Sequence, residues 1–475
     1  MQYTVKQRGY NSNMFLDLEK KNREKVAVID DSKAAMTFGE ICDCVDDFKM
    51  HLPERTLTFI LAENSIGSLL GYLSMLNNRI VPLVLSRNTD KGLYENLYKT
   101  YQPAYLWAPM GLVDELGGEV LWESWNYVLI KTGLTAPDLY DDLSFLLPTS
   151  GSTGSPKLVR HTYRNVEANA RNVSLMFKMK GEERAMASLP MHYTMGLSVI
   201  VSHLYSGSTV VLSNRSLMDM DFWKTMKDER ITCFTGVPFS YEIMHKLRVF
   251  RRIEFPDLKI ITQGGGKLSE DIFRECCEYA ERTGKQFIPT YGQSECTARM
   301  AFLEPEMASK KQGSIGKAEP NGQLSIIDEQ GNESFEGDAT GEMVYRGENV
   351  TMGYAYCKED LLKGDENFGV MHTGDIAHRD ADGYYFIIGR MKRFLKIFGL
   401  RIGLDEVENI VKTNFDTDCL CTGTDELLTI HITNKGITEQ VSEFIEKTTH
   451  LFKKNIEVVY IPEIKRNEAG KVILH

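Results

Sequence analysis

From Lys25 to about Pro289, short β-branched and apolar runs alternate with stretches whose apolar residues recur at helical spacing. Val26-Ala-Val-Ile29 precedes a helical segment around Gly39–His51. Leu57-Thr-Phe-Ile-Leu61 leads into Ser65–Leu76, and Ile80-Val-Pro-Leu-Val84 follows. Leu143-Ser-Phe-Leu-Leu-Pro148 reads as a buried strand, and a helix is predicted to begin near Tyr163. Later strand-like runs are Thr209–Leu212, Ile231–Phe234, Leu258–Thr262 and Gln286–Pro289, each separated from the next by a helical stretch. Continuous apolar strands linked by helices imply largely parallel sheets covered on both faces, because a parallel strand pair needs a long crossover.

The texture changes after about Gly313. Leu324–Ile327, Glu342–Tyr345 and Tyr384–Ile388 are short strands set off by the turns Asp328-Glu-Gln-Gly-Asn332 and Asp380-Ala-Asp-Gly383. That pattern predicts an antiparallel β-subdomain over about 313–391. The basic stretch Gly389-Arg-Met-Lys-Arg-Phe-Leu-Lys396 marks a boundary. Beyond it, helices at Leu404–Lys412 and Thr438–Lys453 and strands at Leu427–Ile432 and Ile456–Ile461 predict a small α+β domain. The fold class expected is therefore α/β: a large N-terminal domain of parallel-rich αβα sheets plus a β-subdomain, residues 1–391, and a small mobile α+β domain, 392–475.

Composition narrows the chemistry. The 475 residues are ample for more than one core, with 42% hydrophobic and 25% charged residues. A formal net charge of -11 excludes a nucleic-acid partner, which calls for a basic footprint. No apolar run reaches the length of about 18 residues needed to span a membrane. The first residues, Met1-Gln-Tyr-Thr-Val-Lys, lack an apolar signal segment. The nine cysteines show neither Cys-x-x-Cys spacing nor zinc-like company with histidine, and reduced thiols in the cytoplasm are expected. The basic run His245-Lys-Leu-Arg-Val-Phe-Arg-Arg252 reads as a solvated helix end.

The richest local signal is Thr149-Ser-Gly-Ser-Thr-Gly-Ser-Pro-Lys157. Glycines let backbone N–H groups turn inward together, and the hydroxyls of Thr149, Ser150, Ser152 and Thr153 and the ammonium of Lys157 add donors, which makes a cradle for polyphosphate. The spacing is not Gly-x-x-x-x-Gly-Lys-Ser/Thr, so it is no P-loop of the NTPase kind. Taken by itself, such a run also suits a flexible linker. Six further segments follow in order: Gln263-Gly-Gly-Gly266, Tyr291-Gly-Gln-Ser-Glu295, Gly341–Tyr354, Thr373-Gly-Asp375, Gly389–Val407 and Asn467-Glu-Ala-Gly-Lys471.

Together these segments resemble the adenylate-forming superfamily of acyl-CoA synthetases, peptide-synthetase adenylation domains and luciferases. The resemblance covers most of the chain, and the order of the segments makes it specific. It implies that Thr149, Ser150, Gly151, Ser152, Thr153, Gly154 and Lys157 hold the ATP phosphates. Tyr291, beside Gly292, would stack on the adenine, Ser294 would contact the α-phosphate, and Glu295 would bind Mg²⁺. One carboxylate suits that ion, which keeps most of its waters. Asp375 would accept from the ribose hydroxyls, a task for a charged acceptor, with Arg390 close to the ribose and phosphate. Gly264, Gly265 and Gly266 would let backbone approach the adenine and the acyl pocket. Lys471 would bridge the attacking carboxylate and the α-phosphate as charge builds there. Lys392 matches the hinge, about which the small domain would swing Lys471 out and bring the Lys396–Gly403 loop in.

Pro190-Met-His-Tyr-Thr-Met-Gly196 matches the segment lining the acid pocket, so His192, Tyr193 and Gly196 would face the acyl group, with Tyr193 as an aromatic gate. Peptide-synthetase relatives usually place an aspartate in this segment. This chain has none there, and a buried ammonium without a partner costs on the order of several kcal/mol. A fatty, aryl or other neutral acid is therefore expected ahead of an amino acid. The implied co-substrate is a thiol, either CoA or the phosphopantetheine of an acyl carrier protein. The alternatives are amino-acid loading onto a carrier and a nucleotide-binding protein without turnover. Oligomeric state is not legible in the chain.

Overall fold

The computed structural model describes residues 14–52, 55–148, 157–391, 393–397, 400–424, 426–449, 451–466 and 472. Two large sheets dominate. The first has nine strands, and its centre is parallel from Gln286–Tyr291 through Ile260–Gln263, Cys233–Gly236, Arg184–Ala187 and Thr209–Leu212 to Val26–Ile29. The second has eight strands with a parallel centre of Leu143–Pro148, Val81–Ser86, Leu57–Ala62 and Tyr105–Pro109.

Helices lie between the two sheets, and their composition shows it. Every residue from Ile66 to Leu76, within the helix Ile66–Asn77, is buried. The same holds from Thr194 to Leu204 in the helix Thr194–Ser206. A helix apolar on all sides has no face to give to water and is stable only when covered all round. One continuous core joins these helices to strand residues of both sheets, among them Val28, Val210, Ile60 and Leu147. A second core covers the outer face of the first sheet beneath the helices Met220–Asp228, Pro238–Lys246 and Glu270–Thr283.

The expected parallel alternation describes the sheet centres, but the edges are antiparallel. In the second sheet Tyr127–Lys131 runs antiparallel to both Tyr105–Pro109 and Glu119–Ser124. The two residues between the last pair, Trp125 and Asn126, both adopt left-handed φ values of 51° and 60°. That is the backbone of a two-residue hairpin turn whose twist matches the strands. At the opposite edge Leu158–Thr162 pairs antiparallel with Leu143–Pro148 and with Tyr354–Ala355. Two strands also sit later than expected: Cys233–Gly236 and Ile260–Gln263.

A five-stranded antiparallel sheet follows, ordered Glu333–Ser334, Gln323–Ile327, Ala339–Arg346, Val370–Arg379, Tyr385–Arg390. The C-terminal residues form a three-stranded sheet of Cys419–Thr424, Leu427–Ile432 and Ile456–Tyr460 with the helices Leu404–Asn414 and Thr438–Thr449. Their own core contains Val407, Val411, Ile430, Val441 and Ile445. The second of these helices stops short of the expected Lys453. All nine cysteines are free thiols. Among the described residues no helix is long and apolar enough to cross a membrane.

Close packing of the buried helix on the second sheet rests on small residues. A Cβ on Gly71 would lie 2.2 Å from Cδ1 of the Trp107 indole. That ring is 1% exposed, and its Nε1 donates to the Gly67 carbonyl at 2.9 Å. Gly71→Ala is expected to lower the free energy of unfolding by about 1–3 kcal/mol, the usual cost of overpacking. Urea unfolding measures it, with Gly111→Ala as the control, since nothing lies within 4 Å of a Cβ there. Equal midpoints for the two variants would show that the indole shifts freely.

Candidate active site

The strand Gln286–Tyr291 lies in the parallel run of the first sheet, and the chain leaves its C-terminal end through a tight turn. Open parallel sheets hold ligands outside such strand ends. Gly292 is required here, because a Cβ would sit 1.4 Å from the Ala298 carbonyl oxygen. The turn contains one 3-10 turn, Ser294–Cys296, and then two left-handed residues, Thr297 with φ 53° and Ala298 with φ 97°. Such backbone states persist only where the surroundings enforce them.

Three groups of side chains meet around this turn. In the first, the Tyr291 hydroxyl donates to Asp375 Oδ2. Gln293 Nε2 donates to the Tyr291 hydroxyl at 3.0 Å, to the Thr373 carbonyl at 3.0 Å and to Asp375 Oδ2 at 3.1 Å. Asp375 and Arg390 are register partners in the five-stranded sheet, and Arg390 Nε lies 3.2 Å from Asp375 Oδ1. Asp375 is 4% exposed. Burial raises its carboxyl above the ordinary carboxylate range, against the pull of the Tyr291 hydrogen bond and the Arg390 charge. Burial, reinforced by the Asp375 charge, holds the Tyr291 phenol protonated well past its usual range.

In the second group, Glu295 Oε1 accepts from the Tyr354 hydroxyl at 2.6 Å. The Lys157 ammonium rests 3.6 Å from the centroid of the same Tyr354 ring, a cation–π contact. Lys157 and Tyr354 are neighbours because Leu158–Thr162 and Tyr354–Ala355 pair with Tyr354 opposite Val159. Arg160 secures that edge: its Nε donates to the Tyr354 carbonyl at 3.0 Å and its Nη2 to the Met352 carbonyl at 3.1 Å. The Ser294 and Thr194 hydroxyls are hydrogen-bonded at 2.7 Å.

The third group is apolar. Gly264, Gly265 and Gly266 follow the strand Ile260–Gln263, and Gly265 has φ 83°. A Cβ on Gly264 would lie 2.5 Å from Met195 Cε, and one on Gly265 would lie 3.1 Å from the Tyr193 hydroxyl. Leu189, Met195 and Val237 cluster there with Tyr193 packed on them. Burial pushes the Tyr193 phenol up to about 12. His192 is half-buried beside it. A Cβ on Gly196 would meet the Pro190 carbonyl oxygen at 2.3 Å, so the helix Thr194–Ser206 starts hard against that segment.

Of the residues expected from sequence, Tyr291, Gly292, Ser294, Glu295, Asp375, Arg390 and Lys157 are linked through this network, and Gly264–Gly266 and Tyr193 form its apolar side. Thr149, Ser150, Gly151, Ser152, Thr153, Gly154, Lys471 and Lys392, the residue expected at the hinge, lie outside the described residues. The backbone of Lys396 runs in the strand Phe394–Ile397. Sequence reasoning assigned no part to Gln293, Thr194 or Tyr354, although each sits inside a segment already singled out. Among the described residues no group of three or more His, Cys, Asp or Glu could enclose a metal ion. A single carboxylate, with one oxygen anchored by a phenol, fits Mg²⁺ carried in with phosphate oxygens and water.

The family described as AMP-binding enzyme matches residues 18–355, and the chain belongs to that family. Oxalate–CoA ligase of Arabidopsis thaliana is 30% identical over 347 residues, covering 70% of this chain and 66% of that protein. Indoleacetate–CoA ligase of Aromatoleum aromaticum is 30% identical over 338 residues, covering 68% and 64%. The matched region thus spans just under two thirds of these relatives' lengths. The fold is that of o-succinylbenzoate CoA synthetase (MenE) from Bacillus subtilis. In complex with its acyl-adenylate OSB-AMP that enzyme superimposes with a TM-score of 0.79 at 20% identity, covering 97% of this chain and 96% of its own. Its complex with ATP and magnesium gives 0.76 at 18% identity, covering 97% and 98%.

The electrostatics of Asp375 carry a consequence for stability. A carboxyl whose folded pKa lies above its unfolded value gives stability that is complete below the unfolded value and is lost as pH rises through the folded one. Asp375→Asn is therefore expected to leave the thermal midpoint at pH 7.5 unchanged or higher, and wild type should gain on the variant as pH falls toward 4. Scanning calorimetry of both proteins across that range decides it. A clearly lower midpoint for the variant at pH 7.5 would show that the pairing with Arg390 outweighs burial.

Proposed function

We propose that this AMP-binding family member is an AMP-forming acid–thiol ligase. It activates a carboxylic acid with ATP to an acyl-adenylate, releases pyrophosphate, and then passes the acyl group to a thiol. One observation carries the reading: two carboxylates, Asp375 and Glu295, are each fixed by a tyrosine hydroxyl around one strand end, with Ser294, Arg390 and Lys157 beside them. The relatives named as CoA ligases support CoA as the thiol in preference to a carrier protein.

In the first step an acid oxygen bonds to the α-phosphorus of ATP, and the bond to the bridging oxygen breaks so that pyrophosphate leaves with its electron pair. The Ser294 hydroxyl, held by Thr194, donates to an α-phosphate oxygen. Asp375 accepts from a ribose hydroxyl on the lone pair of Oδ1 left beside its Arg390 contact, since Tyr291 and Gln293 take up Oδ2. Tyr291 lies against the adenine. Thr149, Ser150, Gly151, Ser152, Thr153, Gly154 and Lys157 enclose the phosphates. Glu295 would hold Mg²⁺, which would supply neutralisation of the phosphate charge. Lys471 supplies the cation between the reacting carboxylate and the α-phosphate. In the second step the thiol sulfur bonds to the acyl carbon, the bond from that carbon to the phosphate oxygen breaks so that AMP leaves with its electron pair, and the thiol proton is released to solvent. Residues 392–475 act as the mobile lobe that exchanges Lys471 for the Lys396–Gly403 loop, with Lys392 as the hinge to 1–391.

The acid is a neutral one. Leu189, Met195, Val237 and Tyr193 make the wall beside Gly264–Gly266 apolar, and the Pro190–Gly196 segment offers no carboxylate to pair with an α-ammonium.

Carboxylate-dependent exchange of labelled pyrophosphate into ATP is expected with a fatty, aryl or small aliphatic acid. Silence across such a panel would overturn the ligase assignment, and a response to amino acids alone would overturn the choice of acid. Lys471→Ala should cut adenylation by at least about 100-fold while sparing thioester formation from supplied acyl-adenylate. Equal losses in both half-reactions would remove Lys471 from the role given to it.

A further inference from the structure

The turn that carries Ser294 and Glu295 is braced from behind by side chains that take no part in the reaction described above. The Glu295 carbonyl accepts from both Thr351 N and Thr351 Oγ1 at 3.0 Å. Asn349 Nδ2 reaches the carbonyls of Cys296 and Arg299, each at 3.0 Å. The Thr297 hydroxyl donates to the Asn349 carbonyl at 2.8 Å. Residues 349–351 thus run along the strained part of the turn and take up its outward-facing carbonyls. Such groups are costly to bury unpaired.

Asn349 is itself held. Its Nδ2 also lies 2.9 Å from Glu319 Oε1, so that its two hydrogens are shared among three acceptors, and the Tyr345 hydroxyl lies 2.8 Å from Asn349 Oδ1 and 3.0 Å from Glu319 Oε1. Asn172 Nδ2 makes a further bond to the same Glu319 oxygen at 3.0 Å. Glu319 is 2% exposed and Asn349 is fully buried. Nearby Arg299 is also fully buried, yet Arg299 Nε and Nη2 and Glu319 Oε2 lack hydrogen-bond partners among the described residues. A core built for stability alone would put apolar side chains at these two positions, since burying a carboxyl and a guanidinium with unpartnered polar atoms is costly.

We propose that Glu319 and Asn349 are positioning residues for Ser294 and Glu295. The Glu319 carboxyl orients the Asn349 amide, and the amide fixes the Cys296 and Arg299 carbonyls. The turn then presents the Ser294 hydroxyl and the Glu295 carboxylate at one spacing. The consequence for turnover rests on the ligase reading, whereas the consequence for Mg²⁺-dependent nucleotide binding does not. Burial pushes the Glu319 carboxyl up to about 8, against its hydrogen bonds and the Arg299 charge, so glutamine is a close replacement for it near neutral pH.

The test compares Glu319→Leu, Asn349→Ala, Tyr345→Phe and Glu319→Gln in the full chain. Calorimetry gives ATP affinity with and without Mg²⁺. Pyrophosphate release, normalised to active sites by burst titration, gives kcat and the KM for acid. Glu319→Leu and Asn349→Ala should each lose about 10–100-fold both in the Mg²⁺-dependent gain in ATP affinity and in kcat per active site, the range usual for residues that orient metal ligands. The KM for acid should stay within about twofold, because the apolar wall is untouched, and Glu319→Gln should restore near-wild-type values. Tyr345→Phe, the mildest change, keeps the proposal testable if the others fail to fold, and should lose about threefold or more. The proposal is overturned if these variants lose only thermal stability with Mg²⁺-dependent binding and per-site kcat intact, or if glutamine is as damaging as leucine. Wild type that binds ATP with Mg²⁺ but releases no pyrophosphate with any acid would sink the ligase reading instead, and the calorimetric comparison would still decide this one.

Discussion

The hydrogen bond from the Tyr291 hydroxyl to Asp375 is the seam along which the candidate site is assembled. Tyr291 ends a strand of the first large sheet, while Asp375 belongs to the five-stranded antiparallel sheet. Neither residue gains an obvious stability advantage from the pairing, because a 4% exposed carboxylate has given up most of its hydration. The contact holds because Gln293 and Arg390 supply further partners from both sides. Burying a charge between two sheets fixes how those sheets meet, since a sliding of either would leave the carboxylate unsatisfied. The second large sheet enters by another seam, through Tyr354 and Glu295. Three sheets therefore contribute to one small region, where these hydrogen bonds lie beside an apolar cluster of Met300, Ala301, Met343, Tyr345 and Ala377 against which Tyr291 packs.

Apolar packing does the opposite job and supplies the rigid frame. The helix Thr194–Ser206, buried throughout its first eleven residues, delivers Thr194 to Ser294 from one side and Met195 to Gly264 from the other. Its start is set by contact of Gly196 with the Pro190 carbonyl. Dense interiors transmit such constraints because they have few voids to absorb a shift. A helix free to slide by even part of a turn would separate both contacts.

The legible and illegible parts of the fold divide along physical lines. The strands Leu143–Pro148 and Leu57–Ala62 and the helix beginning at Tyr163 could be read because continuous apolar runs and helical periodicity coincide with burial there. The strand Leu158–Thr162 could not. Its Arg160 and His161 are fully buried yet polar, which disguises a core strand as a loop. Arg160 is tolerated because Tyr354, Met352, Glu366 and Lys363 satisfy its guanidinium, partners about 200 positions away. The hairpin at Trp125 and Asn126 was missed for a different reason, since it takes left-handed φ values without the glycine that usually signals them. The site shows the same division. Tyr291, Glu295 and Asp375 stood out through the resemblance of their segments, whereas Thr194, Tyr354 and Asn349 gain their importance only from long-range pairing that no local pattern encodes.

A common device runs through both seams. Asp375 and Glu295 each have one oxygen fixed by a phenol: Tyr291 on the first, Tyr354 on the second. At Asp375 the other oxygen already meets Arg390, but at Glu295 a lysine or arginine in the phenol's place would orient the carboxylate equally well and also cancel its charge, weakening its hold on a cation. A neutral hydroxyl avoids this, provided that it keeps its proton. Both phenols do, because burial and the adjoining carboxylate raise them above the ordinary tyrosine range. At Glu295 the same phenol also meets a cation, as Lys157 rests on the face of the Tyr354 ring while the hydroxyl of that ring bonds the carboxylate. Tyr354 thus touches both Glu295 and a cation. An aromatic ring carrying one polar tip is the side chain able to do both.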